Sequence, residues 1–172
     1  FPQLAKLSDG GYVVVWHSLT QDGDSWSVQA QLMNADGTTR GSEFQVNTYT
    51  PGEQSNADVA VLANGDFVVS WLSNNTGLGG WSVMTQRFDD TGARIGGEVL
   101  VNDGNTAITN GDSYTRIAAL NGGGYVVTWS DYPGINNHEA YAQQFDAAGN
   151  KVDAPLLLNQ YTSSTQYRPD VA

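Results

Sequence analysis

Hydrophobic and polar positions recur along this chain with a long period. Leu7 to Trp16 reads LSDGGYVVVW; the phrase returns as LANGDFVVSW at Leu62 to Trp71 and as LNGGGYVVTW at Leu120 to Trp129. Trp16, Trp71 and Trp129 are therefore 55 and 58 residues apart. Gln31, Gln86 and Gln143 follow in register, each with an apolar residue two positions on, and then Gly37, Gly92 and Gly149. Asn47, Asn102 and Asn159 close QVN, LVN and LLN. Gln54 and Gln166 take matching places further on, with Asp112 in the middle copy after a loop three residues longer. Repetition at a period of 20–50 residues or slightly more marks a repeat architecture.

Each copy carries four strand signals. The first is short and rich in small residues: LAKL, VAVL, IAAL. Asp9-Gly10, Asn64-Gly65 or Gly122-Gly123 then supplies a tight hairpin turn, because these residues tolerate positive φ. The second strand (YVVVW, FVVSW, YVVTW) is apolar on both faces, the pattern of a central strand covered on both sides. The third is VQAQLM, VMTQRF or AYAQQF. A Gly-containing turn leads to the fourth, where Glu43-Phe44-Gln45-Val46 alternates like an outer strand with one wet face.

No segment has helical periodicity, so the expected class is all-β. Four strands per copy in short meander connections predict a β-propeller of three four-stranded antiparallel blades plus the first strand of a fourth. A β-prism and a β-solenoid are the alternatives. The copies divide as residues 1–54, 55–112 and 113–167, with 168–172 opening a fourth. PQLA at Pro2 to Ala5 matches PDVA at Pro169 to Ala172, which reads as an excerpt from a longer array; the rival reading is a complete subunit whose extra segment serves assembly. A propeller needs four to eight blades. The expected partners are thus further repeats of one parent chain, or other copies that close a ring.

Composition narrows the function. The chain has 172 residues, enough for one domain with a sizeable core. Seven Lys and Arg against 18 Asp and Glu give a net charge of −11. That excludes the basic footprint of a nucleic-acid binder and disfavours anionic membrane surfaces. Excess carboxylate serves solubility first and cation attraction second. With no cysteine, thiol nucleophiles and zinc–thiolate sites are excluded. No apolar run approaches the ~20 residues of a membrane-spanning helix, so membrane insertion is not expected.

The assembled phrase resembles a repeat of large secreted bacterial proteins, adhesin-like and RTX-type, exported by type I secretion. The residues that carry the resemblance are Leu7 to Trp16, GSEFQVNTYT (Gly41 to Thr50) and QRFDDTGARIGGE (Gln86 to Glu98), and it extends over essentially the whole chain. The resemblance implies an extracellular or cell-surface setting, with calcium as a candidate ligand. The glycine- and aspartate-rich calcium nonapeptide of RTX proteins is absent.

In a four-stranded meander, the second-to-third turns and the blade-to-blade loops share one edge. Here that edge is the variable one: SLTQDGDS (Ser18 to Ser25), SNNTGLGG (Ser73 to Gly80), SDYPGINN (Ser130 to Asn137) and the insertion from Asn102 to Asp112. Loops on a rigid scaffold carry recognition. Asp22 and Asp24 offer carboxylates to Ca²⁺, which wants six to eight oxygens; no third carboxylate follows at calcium-loop spacing, so an acidic turn is the first reading and a metal site the second. Trp26 and Trp81, with His138 in the third copy, sit at equivalent places. Beside Asp22 or Asn74 an exposed Trp would give a sugar ring an apolar platform with a polar rim; packing between blades is the competing reading. Asn47, Asn102 and Asn159, with Gln54 and Gln166, read as satisfying loop backbone. Asn74-Asn75-Thr76 matches a glycosylation sequon.

Catalysis finds little support. The two histidines are His17 and His138, and neither G-x-S-x-G nor H-E-x-x-H occurs. TQDGDSW is a poor match to the Asp-box of sialidases, and the arginines are scattered. The expectation is a non-catalytic structural or adhesive module without a resident cofactor; a carbohydrate-binding propeller is the alternative, and a glycan-cleaving enzyme the weaker one.

Overall fold

The computed structural model describes residues 2–74, 77, 80–102, 114–134, 137–161, 163, 166 and 168–172, with the side chains of 132–134 and 137 left out of the description. Among these residues the secondary structure is strand and turn, with no helix. The first sheet comprises β1 (Gln3–Lys6), β2 (Tyr12–Leu19), β3 (Trp26–Met33) and β4 (Thr39–Gln45). The second holds β5 (Gln54–Val61), β6 (Phe67–Ser73), β7 (Ser82–Phe88) and β8 (Arg94–Leu100). The third holds β9 (Thr115–Ala119), β10 (Tyr125–Gly134), β11 (Asn137–Phe145) and β12 (Lys151–Leu157). Within each sheet the strands lie in chain order and pair antiparallel. The class is all-β, and each sheet is a four-stranded propeller blade.

One turn geometry serves six hairpins. In the first-to-second turns, Leu7 N–H donates to Gly11 O and Gly10 N–H to Leu7 O; Leu62 with Asp66 and Gly65, and Leu120 with Gly124 and Gly123, repeat the pair. The third-to-fourth turns do the same around Asn34, Asp89 and Asp146. Each is a three-residue loop closed by a glycine at positive φ, as at Gly10 (91°) and Gly92 (86°). A Cβ is costly in that region of φ, which is why glycine recurs there.

The core lies between the sheets, in two layers. The first layer joins Val13, Val15, Ala30 and Leu32 of blade 1 to Phe67, Val69, Trp71 and Phe88 of blade 2. The second joins Val68, Leu72 and Val83 of blade 2 to Tyr125, Val127, Trp129 and Phe145 of blade 3. Successive residues of the second strand thus feed opposite layers, as the two-residue strand period requires. β6 is buried along its whole length. β2 is not: Tyr12, Val14 and Trp16 point to the side of blade 1 that no blade covers, and remain half-buried. The first strands adjoin, β5 packing against both β1 and β9. Each large side chain removed from water in these layers contributes roughly 1.5–3 kcal/mol.

Residues 168–172 lie against blade 3 without pairing into a strand. Their seating still copies the start of a blade. Arg168 and Asn56 occupy equivalent positions and share φ 54°. Thr128 Oγ1 donates to Pro169 O at 3.3 Å, where one blade earlier Thr115 Oγ1 donates to Ser70 Oγ at 3.0 Å. Asp170 Oδ1 accepts from Val171 N–H at 2.9 Å, as Asp58 Oδ1 does from Val59 N–H at 3.0 Å.

Candidate functional site

The repeated amides are bound to the backbone. Pairing of the third and fourth strands slips in every blade, between Ala30 and Leu32, Thr85 and Arg87, and Ala142 and Gln144. The residue in each gap is Gln31, Gln86 or Gln143. Gln86 Nε2 donates to the carbonyls of Arg87 (2.8 Å), Ile95 (3.2 Å) and Gly96 (3.4 Å). Gln31 does the same with Leu32, Arg40 and Gly41, and Gln143 with Gln144, Val152 and Asp153. Gly41, Gly96 and Asp153 share positive φ (69°, 69° and 59°). This is a β-bulge whose orphaned carbonyls are met by one side chain.

The asparagines tie off the fourth strands. Asn47 Oδ1 accepts from Val28 N–H at 2.8 Å, Asn102 Oδ1 from Val83 at 3.0 Å and Asn159 Oδ1 from Ala140 at 2.8 Å. Asn47 Nδ2 donates onward to Tyr49 O and Gln54 Oε1, and Asn159 Nδ2 to Tyr161 O and Gln166 Oε1. Asn47 and Asn102 are buried and Asn159 is half-buried, and each amide holds the end of its fourth strand against the third. Trp71 and Trp129 are buried in the two core layers, while Trp16 lies on the open side of blade 1.

The variable edge is less uniform. Trp26 opens β3, half-buried, with its ring edge-on to His17 at 5.0 Å and 82°. Burial lowers the pKa of His17, so the imidazole there is neutral at pH 7. Leu19, directly across the strand pair from Trp26, is 55% exposed. Trp81 packs on the second core layer, and His138 is buried. The three equivalent positions therefore do not form one platform repeated three times: Trp26 is half-buried beside exposed Leu19, Trp81 packs on the core and His138 is buried.

Asp24 Oδ2 accepts from Gly52 N–H at 2.8 Å, and Asp22 Oδ1 from Asp24 N–H at 3.3 Å. The first of these bonds ties the first variable loop to the one leading into blade 2; the second lies within the first loop. Asn74 is clamped similarly: its Oδ1 accepts from Glu53 N–H at 2.7 Å, and its own N–H donates to Glu53 O at 2.9 Å. Among the described residues, no three His, Asp or Glu side chains come together to hold a metal ion. Asn75 and Thr76 of the sequon, and Asp112 with most of its insertion, lie outside the described residues.

One pair escapes a reading of the sequence by motif. Asp131 and Glu139 face each other across β10 and β11, both buried. Asn159 Nδ2 donates to the Glu139 carboxylate. The same register holds Ser18 with Ser27 in blade 1 and Ser73 with Ser82 in blade 2. The signal lies in the aligned copies: an acid pair stands where the other copies place two serines.

No protein-family model matches the chain, and a search of curated proteins finds no match. Solved structures do resemble it. An endo-arabinase from Bacteroides thetaiotaomicron superposes with a TM-score of 0.62 at 14% identity, over 92% of this chain and 61% of that one. A fucose lectin from Kordia zhangzhouensis, in complex with methyl-fucoside, gives 0.55 at 10% identity, over 95% and 100%. An α-L-arabinofuranosidase from Lactobacillus brevis gives 0.53 at 14% identity, over 90% and 54%. The chain thus spans about three fifths of the arabinase, and what it shares with these proteins is the propeller-type fold.

Proposed function

We propose that this chain is a non-catalytic propeller module with a structural or adhesive task in a bacterial protein outside the cell or at its surface. The observation that carries this reading is the use made of the repeated polar residues. In all three blades the Gln and Asn side chains are bonded to backbone groups of their own blade, so no reactive group recurs with the repeat. The resemblance to repeats of secreted adhesin-like proteins supplies the setting.

The test is an activity screen. Incubated with chromogenic arabinofuranosides, fucosides and related glycosides, the chain is expected to turn over none. Turnover that disappears in Glu139→Gln or Asp131→Asn would overturn the reading, because a paired carboxylate is the machinery of glycoside hydrolysis.

Glycan binding is the second reading, favoured by one observation: Trp26 is half-buried beside exposed Leu19 and the Asp22 turn. That a lectin with a bound fucoside shares the fold makes sugar rings a reasonable probe. Binding on a glycan array that is lost in Trp26→Ala would support it; a blank array would remove it.

A further inference from the structure

Two Asn-Gly steps stand in equivalent hairpin turns of this chain, and the two turns treat them differently. In blade 2 the loop is Ala63-Asn64-Gly65, and both ends of the Asn64 amide are held. Its Nδ2 donates to Asp66 Oδ2 at 2.7 Å, and its Oδ1 accepts from Asp66 N–H at 3.2 Å. Gly65 N–H donates to Leu62 O at 3.0 Å. In blade 3 the loop is Asn121-Gly122-Gly123, so the Asn stands one place earlier. That turn is closed by Leu120 N–H on Gly124 O at 2.8 Å and by Gly123 N–H on Leu120 O at 2.9 Å. Neither bond uses the Asn121 side chain or the Gly122 N–H. Among the described residues, neither group has a hydrogen-bond partner. Asn121 and Gly122 are both exposed, and a Cβ added at Gly122 would meet nothing within 4 Å.

We propose that Asn121 is a site of spontaneous covalent modification in the folded protein, its side-chain amide passing to aspartate or isoaspartate through attack by the Gly122 nitrogen. Hydroxide takes the proton of the Gly122 N–H. The nitrogen's electron pair forms a bond to Asn121 Cγ, the Cγ–Nδ2 bond breaks, and Nδ2 leaves as ammonia with a proton from water, which returns the hydroxide. The product is a cyclic imide. Water then adds to either of its carbonyls and opens the ring: opening at Cγ leaves aspartate, and opening at the main-chain carbonyl leaves isoaspartate. In sum, amide plus water gives carboxylate plus ammonium, with no change of oxidation state. Glycine is the residue that permits the attack, because no Cβ blocks the approach and its backbone turns freely. At Asn64 the same attack must first break the Gly65–Leu62 bond and both amide contacts, which requires the hairpin to open.

The turn carries this change without unfolding. Ser8 and Ala63 fill the place of Asn121 in the other two blades, so the hairpin does not depend on the amide. Its shape rests on the bonds of Leu120 and Gly123 and on Gly124, where an added Cβ would collide with Phe145 O. Each conversion adds a negative charge to a chain already at −11. The folded protein therefore ages into more acidic forms, beginning at this turn.

Peptide mapping of the 172-residue chain tests this. The folded protein is kept in mildly alkaline buffer, digested with trypsin and compared with a digest made at the start. Cleavage after Lys and Arg puts Asn121 on the peptide 117–151 and Asn64 on 41–87, and fragmentation places the change within each. Asn110-Gly111, outside the described residues, falls on 95–116 and is scored apart. The expected result is conversion at Asn121 at least about tenfold faster than at Asn64, with isoaspartate in the product. Isoaspartate is the mark of attack by Gly122, because direct hydrolysis of the amide leaves aspartate alone. In urea, where both turns are open, the two rates should draw level. Gly122→Ala should slow conversion of Asn121 at least about fivefold in the folded chain, with circular dichroism to check the fold. Equal rates at Asn121 and Asn64 in the folded chain overturn the inference. So does a preference for Asn121 that persists in urea, or aspartate without isoaspartate. Asn121 left intact over a period in which the unfolded chain is converted overturns it too.

Discussion

At the scale of the residue, the stability of each blade rests on side chains that serve the backbone. Gln86 is buried and satisfies three carbonyls of a bulge. Gln86→Ala leaves those groups short of a donor in a site closed to water, and should cost about 2–3 kcal/mol in urea unfolding. Gln31→Ala should cost less than half of that, because Gln31 lies on the open side of blade 1, where solvent reaches the same carbonyls. The turn carboxylates make a second residue-scale device. The Thr91 hydroxyl and the Ala93 N–H hold the Asp89 carboxyl below its ordinary pKa, and hydrogen bonds do the same for Asp9, Asp36 and Asp146. A pKa lowered on folding stabilises the native state above the unfolded value, about 3.9, and that contribution fades as pH falls through the folded values. Unfolding curves between pH 5 and 2 should therefore show a steady loss of stability, shallower in Asp89→Ala. The recurrence of Gln31, Gln86 and Gln143 is plain in the sequence. Their task is not, because a bulge exists only once two strands have taken a register.

At the scale of the element, one strand pattern has two fates. YVVVW, FVVSW and YVVTW are written alike, yet β6 is buried throughout and β2 is covered on one side. The difference lies in neighbours: β6 has a blade on each side, β2 on one. At the end of β7, Phe88 stacks on Phe67 at 5.1 Å, meets Phe44 at 5.5 Å and lies under the Arg94 guanidinium at 5.8 Å. Phe88→Ala should destabilise by about 3–5 kcal/mol, the usual cost of emptying an aromatic site in a core. Met33→Ala, the equivalent change on an open side, should cost much less. The four strands per copy and their turns were legible because alternation and glycine placement are local properties. The Asp131–Glu139 pair was hidden because its members are eight residues apart and meet only through the register of β10 with β11.

At the scale of the whole molecule, three sheets and two layers make a structure whose cohesion is a sum of neighbour contacts. Blade 2 contributes to both layers, so changes there should lower the unfolding midpoint more than the same change in blade 1 or blade 3. Added calcium should leave the midpoint unmoved if Asp22 and Asp24 serve only as turn residues; a rise would mark a ligand bound to the native state. The threefold plan was readable from the repeat alone. The distribution of burial was not, because it depends on which side of a blade has company. One consequence reaches beyond stability. The Gln and Asn anchors address mainly carbonyl oxygens and amide hydrogens, which every residue offers, rather than particular side chains. A frame held in that way is indifferent to the spelling of the loops it displays. Their letters are free to drift or to be rewritten, as in a library grafted onto a fixed cassette, while the blades beneath keep their shape.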